Sequence, residues 1–176
     1  MKVALTGTPG CGKSEVAREL KRMGYRIVRI EELARNFDCV IKEDDEIVVD
    51  IKKLAKEFAK TDFDGIVEGH LSHLLNPDIT IVLRCNPLIL KKRLEKRGWN
   101  ANKILENVEA ELVDVILVEA LENKNVYEID TTTRSVEEVT NIVDRLIKGK
   151  DTDKFKPGKI DWIAEVGDKI EEFVSF

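Results

Sequence analysis

The chain has 176 residues and a formal net charge of −5 at pH 7. This length suits one domain with a substantial core. The acidic balance argues against nucleic-acid binding by the whole surface, so we expect no strong sequence-specific nucleic-acid binding. No apolar run approaches ~18 residues and a strand begins at residue 2, so we expect neither a membrane-spanning helix nor a signal peptide. Three scattered cysteines without C-x-x-C spacing predict a reducing cytoplasmic location, with no disulfide framework or zinc site.

The first predicted elements are a strand over residues 2–6 and a helix over residues 15–23. Between them, residues 7–14 fit G-x-x-x-x-G-K-[ST] at every fixed position. Glycines let the backbone curl so that successive N–H groups point at one anion, and the helix N-terminus adds a positive dipole. We therefore predict a nucleotide phosphate loop in which Lys13 reaches the β- and γ-phosphates and Ser14 ligates Mg²⁺. The predicted nucleotide contacts are Gly10, Cys11, Gly12, Lys13, Ser14 and Glu15.

The chain then continues as alternating strands and helices. Alternation of polar and apolar residues predicts a strand over residues 25–30, and a short helix follows over residues 31–37. Residues 38–47 are rich in acidic side chains and predict a loop or a weak strand. Apolar spacing favours a helix over residues 48–60, and residues 65–70 predict a third strand that ends in polar side chains.

The second half repeats this alternation. The predicted elements are a strand over residues 79–83, a helix from Pro87 to Arg97 with Gly98 as its stop, a long helix over residues 101–123, a strand over residues 126–130, and a helix capped by Ser135 that ends near Lys148. Strands that alternate with helices indicate right-handed βαβ units. We predict an α/β fold with a five-stranded parallel sheet between helices.

The last part of the chain has a different character. Residues 151–159 are charged and contain Pro157-Gly158, which predicts a linker, and residues 160–176 predict an amphipathic helix. Its apolar face comprises Trp162, Ile163, Val166, Ile170, Phe173 and Val174. We expect this face to pack back onto the domain; the alternative is that it docks a partner or a second copy. The predicted division is residues 1–150 and 151–176.

Polar side chains end the third strand, and open α/β sheets place ligands beyond the carboxyl ends of their strands. Glu68 is a candidate to hold Mg²⁺, directly or through water, and His70 is a candidate to orient a water or a phosphate oxygen. The alternative is that both are ordinary polar residues leaving a strand. His73, about one helical turn further on, is predicted to be a surface residue.

Arginines supply the next candidates. Arg93 and Arg97 lie four residues apart on one predicted helix and face the same way, where they can offset the charge that develops in phosphoryl transfer. The alternative is a solvated basic face, since several lysines are nearby. Arg35 follows the second strand, where a second nucleotide would approach; its alternative is a surface ion pair with Glu31 or Glu32.

A phosphate loop alone does not choose between a GTPase, an ATPase motor and a small-molecule kinase. No Asn-Lys-x-Asp follows a strand to read guanine, since residues 123–126 are Asn-Lys-Asn-Val and lack the carboxylate. No ABC-type signature is present. The sequence therefore favours a small kinase-like or ATPase-like domain.

Several spaced segments together resemble an archaeal-type member of the adenylate kinase isoenzyme 6 family over about residues 1–148. These segments are the loop at residues 7–14, Leu33-Ala34-Arg35, Val67-Glu68-Gly69-His70, and residues 93–100 with Asn107 and Glu111 beyond them. The resemblance implies a nucleoside-monophosphate-kinase fold with an acceptor-binding segment at about residues 30–55 and a short lid at about residues 96–106. It implies ATP:AMP phosphotransfer, which converts ATP and AMP to two ADP, together with ATPase activity.

The same resemblance implies a role in maturation of small-subunit ribosomal RNA in pre-ribosomal particles, through a ribosomal protein of the subunit platform. By this likeness Arg35 contacts the acceptor phosphate, Arg97 reaches ATP from the lid, and Thr132 lies near the adenine. Two departures stand out. Many members carry Asp-x-His where this chain has Glu68-Gly69-His70, and no arginine follows Arg97 before Arg134, which should weaken phosphate clamping and leave access for water.

We therefore predict a P-loop nucleotide kinase that uses ATP with Mg²⁺ and accepts AMP near Arg35. No protein nucleophile is needed, because the acceptor phosphate attacks directly. The main alternative is a nucleotide-switched ribosome assembly ATPase whose kinase turnover is incidental. A kinase for another small metabolite is a third possibility.

Overall fold

The structure, a computed structural model, describes residues 1–43, 46–167 and 169. Its strands are β1 Lys2–Thr6, β2 Ile27–Arg29, β3 Val40–Glu43, β4 Glu46–Val49, β5 Gly65–Glu68, β6 Ile79–Arg84 and β7 Val126–Asp130. Its α-helices are α1 Lys13–Arg22, α2 Ile30–Asn36, α3 Ile51–Ala59, α4 Pro87–Lys96, α5 Ala101–Leu112, α6 Val115–Ala120, α7 Val136–Ile147 and α8 Trp162–Val166. Short 3₁₀ turns occur at Ser72–Leu75 and Thr152–Phe155. In this described part, no helix combines the length and apolar character needed to span a membrane.

The central feature is a five-stranded sheet with the order β2-β5-β1-β6-β7. All neighbouring strands in it are parallel, so the predicted parallel sheet is confirmed. Because β1 lies in the middle, the loop that follows it opens at the centre of the carboxyl edge. An open α/β sheet binds its ligands at this edge.

Helices cover both faces of the sheet because consecutive side chains of each strand point in opposite directions. Ile66 of β5 packs in one buried cluster with Leu20 of α1 and Val108 of α5, and α4 and α7 contribute to the same cluster. Its neighbour Val67 packs on the other face with Leu33 of α2 and Leu54 of α3. The strands are therefore buried on both sides, as their apolar sequences indicate.

The region after α2 differs from its prediction. β3 and β4 form an antiparallel hairpin, in which Val48 pairs with Ile41 and Val49 pairs with Val40. The predicted start of a helix at Val48 is wrong, because α3 begins at Ile51 after Asp50 caps it by accepting a bond from Lys53 N at 3.0 Å. Residues 44 and 45 lie outside the described residues.

The predicted long helix over residues 101–123 is also wrong, because it is broken into α5 and α6. Asp114, between them, adopts a left-handed conformation with φ of 59°. Its carboxylate forms an ion pair with Arg84 at the end of β6. This long-range contact stabilises a backbone that stops α5 and turns the chain into α6.

The C-terminal segment packs on the domain as far as it is described. Trp162 and Val166 of α8 are buried in the main core, whereas Ile163 is exposed. The segment predicted as a linker is anchored by Lys159 N, which donates to Glu128 of β7 at 2.7 Å. α8 ends at Val166, and the predicted helix at residues 168 and 170–176 lies outside the described residues.

Candidate nucleotide-binding site

A glycine-rich loop joins the central strand β1 to α1. Gly7 has φ of 134°, and a Cβ built there would lie 2.2 Å from the carbonyl oxygen of Leu83 on β6. Gly12 has φ of 94° and sits at the N-cap of α1. Only glycine suits both positions, the first for close approach of two backbones and the second for the left-handed turn. The predicted order of strand, glycine loop and helix over residues 2–23 is confirmed, with α1 beginning at Lys13.

Lys13 lies folded over this loop. Its Nζ donates to the carbonyl oxygens of Gly7 at 2.7 Å and Thr8 at 3.1 Å, and the side chain is buried. Burial lowers the pKa of Lys13 from its ordinary value. The ammonium is thus held in the loop by backbone oxygens.

The two predicted metal ligands are brought together. Ser14 Oγ donates to Glu68 Oε1 at 3.1 Å, and Glu68 Oε2 accepts from Arg29 Nε at 3.4 Å. Glu68 is buried at the end of β5, next to β1. Mg²⁺ is bound in proteins by one or two carboxylates together with substrate phosphates, and a hydroxyl and a carboxylate fit that pattern. Among the described residues, no group of three or more His, Cys, Asp or Glu side chains forms a metal cage of its own.

A cleft of about 630 Å³ opens in front of the loop. It is lined by residues of the phosphate loop, of α2, of the end of β5 and of the start of the predicted lid. Its lining includes Lys13, Ser14, Glu15, Arg29, Glu31, Glu32, Arg35, Glu68, His70, Arg97 and Trp99. This size is typical of a small-molecule site, and most of the predicted catalytic, metal and acceptor residues border it.

Arg35 and His70 both line this cleft. The alternative for Arg35 was a surface ion pair with Glu31 or Glu32. The structure describes all three residues and shows no such ion pair. Desolvation, and next the Lys13 ammonium, lower the pKa of His70 from its ordinary value of 6.5. The lowered pKa favours the neutral form of His70, whose unprotonated ring nitrogen can accept a hydrogen bond.

A second, smaller cavity of about 170 Å³ lies on the other side of the loop, beside α7. Arg97 borders both cavities, whereas Arg93 borders only this one. Arg93 Nη2 donates to the carbonyl oxygens of Thr131 at 3.0 Å and Thr132 at 3.2 Å, and Nη1 to that of Gly10 at 3.4 Å. The two side chains thus differ in the cavities that they line, although they lie four residues apart and were predicted to face the same way.

The Thr132 hydroxyl is already engaged, because it donates to Asp130 and accepts from Asn86 N at 2.9 Å. Thr131, rather than Thr132, borders the small cavity. The loop after β7 thus lies beside the phosphate loop, and its backbone is held there by Arg93. Cys11 also borders this cavity, and its carbonyl oxygen accepts from Thr131 Oγ1 at 3.0 Å.

The prediction that His73 is a surface residue is wrong. His73 is buried, with Nδ1 3.1 Å from Thr6 Oγ1 and Nε2 3.0 Å from Glu119 Oε2. Burial lowers its pKa from the ordinary value of 6.5, and the Glu119 carboxylate partly opposes this shift. His73 therefore supports the end of β1 from behind and does not face the cleft.

Sequence reasoning missed a buried cluster of charges behind the loop. Arg84 Nε donates to Glu111 Oε1 at 2.8 Å, and Nη1 lies 3.5 Å from Glu128 Oε2. Burial opposes the charge of Arg84, but Glu111 and Asp114 more than offset it and hold the pKa above its ordinary value. One signal was available, because an arginine that ends an otherwise apolar strand needs a buried carboxylate partner.

Comparison with known proteins gives consistent results. A family described as "AAA domain" matches residues 3–114. A protein of Archaeoglobus fulgidus named "Putative adenylate kinase" is 56% identical, covering 99% of this chain and 98% of that protein. One of the same name from Methanocaldococcus jannaschii is 43% identical, with 97% of each covered.

Two solved kinases share the fold at low sequence identity. A deoxyadenosine kinase from M. mycoides has a TM-score of 0.54 at 17% identity, covering 85% of this chain and 99% of that one. A shikimate kinase from Bacteroides thetaiotaomicron also has a TM-score of 0.54, at 15% identity, covering 84% of this chain and 98% of that one. The fold is therefore a P-loop α/β fold of the nucleoside-monophosphate-kinase type.

Proposed function

The chain belongs to the AAA-domain family and to the group of archaeal proteins named putative adenylate kinases, and on this premise we propose that it is a nucleoside monophosphate kinase. It transfers the γ-phosphoryl group of ATP to AMP and yields two ADP. The observation that supports the proposal is one cleft lined both by Lys13 and Ser14 of the phosphate loop and by Arg35 of α2. A hydrolase needs only the phosphate loop, whereas a kinase also needs a group that binds the acceptor phosphate.

The reaction needs no protein nucleophile. A phosphate oxygen of AMP attacks the γ-phosphorus, and the bond from that phosphorus to the β–γ bridging oxygen breaks. Lys13, released from the Gly7 and Thr8 carbonyls, donates to the phosphate oxygens, and Arg97 offsets charge from the mouth of the cleft. Ser14 and Glu68 would hold Mg²⁺, which supplies further positive charge at the phosphates.

The remaining site residues have supporting roles. Arg93 adds positive charge beside the loop and fixes the segment after β7. In this segment Thr131 would border the adenine, and Thr132 would hold the backbone through Asn86 and Asp130. Arg35 binds the acceptor phosphate. We assign about residues 30–55, which contain α2 and the hairpin, to acceptor binding, and about residues 96–106 to the lid, with Gly98 (φ of 74°) as its hinge.

A second candidate is a nucleotide-switched assembly ATPase that acts on pre-ribosomal particles through a ribosomal protein, as the isoenzyme 6 resemblance implies. The observation that favours it is His70, a neutral imidazole in the cleft near Lys13 and Glu68, where it can orient a water. The scarcity of lid arginines also leaves access for water. In this candidate, ATP hydrolysis is the biological reaction and transfer to AMP is incidental.

Steady-state ADP formation with ATP and AMP, compared with ATP alone, tests the proposal. We expect AMP to raise the rate strongly in the wild type. Lys13→Ala should lower both rates by about 10²–10³-fold, the usual loss when one transition-state donor is removed. Lys21→Ala is the control, since this exposed lysine lies further along α1.

A rate that AMP does not change, with hydrolysis intact, would favour the assembly ATPase. Activity with another small acceptor but none with AMP would favour a metabolite kinase. If Lys13→Ala stays active with an unchanged circular dichroism spectrum, the phosphate-loop assignment is wrong.

A further inference from the structure

A hydrogen-bonded chain links the C-terminal segment to the phosphate loop through one buried carboxylate. Trp162 Nε1 donates to Glu111 Oε1 at 3.0 Å, and Thr8 Oγ1 donates to Glu111 Oε2 at 2.5 Å. All three side chains are at most 2% exposed. The two oxygens of one carboxylate therefore connect α8 with the second residue of the loop.

The other bonds of Glu111 fix its orientation. Oε1 also accepts from Arg84 Nε at 2.8 Å and from Cys85 N at 3.1 Å. With Oε1 held by these donors and by the indole, Oε2 is aimed at Thr8. Buried hydrogen bonds to a charged group are among the stronger ones, so removal of one donor loosens the set.

The chain continues from Thr8 to the active-site lysine. The carbonyl oxygen of Thr8 accepts from Lys13 Nζ at 3.1 Å. The hydroxyl that binds Glu111 and the carbonyl that binds Lys13 thus belong to the same residue. A change in how Glu111 holds Thr8 would therefore act on the backbone of the phosphate loop beside the Lys13 ammonium.

A second contact runs in parallel from α8. Glu165 Oε1 accepts from Asn86 Nδ2 at 2.9 Å. Asn86 Oδ1 in turn caps α4 by accepting from Leu88 N at 3.0 Å, and α4 carries Arg93. The same short helix thus contacts both the support of the phosphate loop and the start of an arginine-bearing helix.

We propose that Trp162 and Glu111 are positioning residues for phosphoryl transfer, and that α8 acts on the nucleotide site through the indole N–H of Trp162. The proposal rests on the proposed kinase function for its rates, but it also predicts ATP affinity. Trp162→Phe removes the indole N–H and retains an aromatic ring in the core. Val166→Ala is the matched control, because Val166 is buried in the same helix and contributes packing without a polar side chain.

The experiment measures kcat, the KM for ATP, the dissociation constant of ATP by calorimetry, and the melting temperature. Trp162→Phe should weaken ATP binding, lower kcat, or do both, and the product of the two losses should be about three- to tenfold. This is the usual effect of one lost hydrogen bond. Thr8→Val should have an effect of similar size, and Thr8→Ser, which keeps the hydroxyl, should restore wild-type values. Val166→Ala should lower the melting temperature and leave kcat and ATP affinity within about twofold.

The double variant Trp162→Phe/Thr8→Val tests whether Trp162 acts on the nucleotide site through Thr8. If the residues act in one chain, the double variant is no worse than Thr8→Val alone, because the first loss acts through the second. The proposal would be overturned if the loss in the double variant equals the product of the two single losses. It would also be overturned if Val166→Ala and Trp162→Phe lose equal amounts of kcat or ATP affinity. If the wild type phosphorylates no nucleoside monophosphate, the proposed kinase function fails. The ATP affinities of the same variants still test whether the hydrogen bonds from Trp162 through Glu111 to Thr8 position the phosphate loop.

Discussion

Replacement of Trp162 by alanine should strongly destabilise the protein, because its indole is 1% exposed and lies in the main core cluster. The ring also lies under the Arg84 guanidinium, whose carbon is 5.8 Å from the ring centroid. Truncation of a buried Trp to Ala lowers the free energy of unfolding by about 3–5 kcal/mol. Glu111 keeps its bonds to Arg84 and Cys85 N, so we add no penalty for an unpaired carboxylate. In a protein of this size, the melting temperature should fall by about 6–20 °C.

Thermal and urea unfolding followed by circular dichroism measure this loss. Ile163→Ala is the control, because Ile163 is the next residue of α8 and is 51% exposed. A surface substitution of this kind should change the free energy of unfolding by no more than about 0.5 kcal/mol. If Trp162→Ala and Ile163→Ala are equally stable, α8 does not dock on the domain in solution.

Three further predictions concern the cleft and its support. His70→Ala should lower ATP hydrolysis much more than transfer to AMP in paired assays, because AMP brings its own nucleophile; equal losses would discard the water-orienting role. Arg35→Ala should raise the KM for AMP with little change in the KM for ATP, while the exposed Arg18→Ala on α1 should change neither. Because burial lowers the pKa of His73, the unfolded state binds more protons below pH 6.5, so stability should fall on acidification through that window. His73→Asn should reduce this fall in melting temperature between about pH 7.5 and about pH 5.5, and an unchanged fall would assign it to other groups.

The parts of the fold that the sequence predicted depend on local patterns. Short apolar runs gave the strands, helical spacing gave most helices, and the glycines with Lys13 and Ser14 gave the phosphate loop. The position of Glu68 followed from one rule, that ligands lie beyond the carboxyl ends of parallel strands. These patterns predict the structure well because each one depends only on a few neighbouring residues and not on distant parts of the chain.

The failures have long-range causes. The break at Asp114 depends on Arg84, which lies thirty residues earlier in the chain and becomes a neighbour only in the folded protein. His73 is buried because Thr6 and Glu119 meet it from distant elements. The prediction that the C-terminal face packs onto the domain is confirmed for Trp162 and Val166. The bond of Trp162 to Glu111 was not predicted, because the helical position of Glu111 alone does not reveal its partners.

Transfer of label from ATP to AMP tests the kinase proposal most directly. ATP labelled at the γ-phosphate is incubated with unlabelled AMP, and the products are separated and located by phosphate position. We predict that the label appears in the β-phosphate of ADP formed from AMP, and that Lys13→Ala slows this transfer by about 10²–10³-fold. Label that appears only in free phosphate, at the same rate with and without AMP, would contradict the proposal and identify the protein as an ATPase.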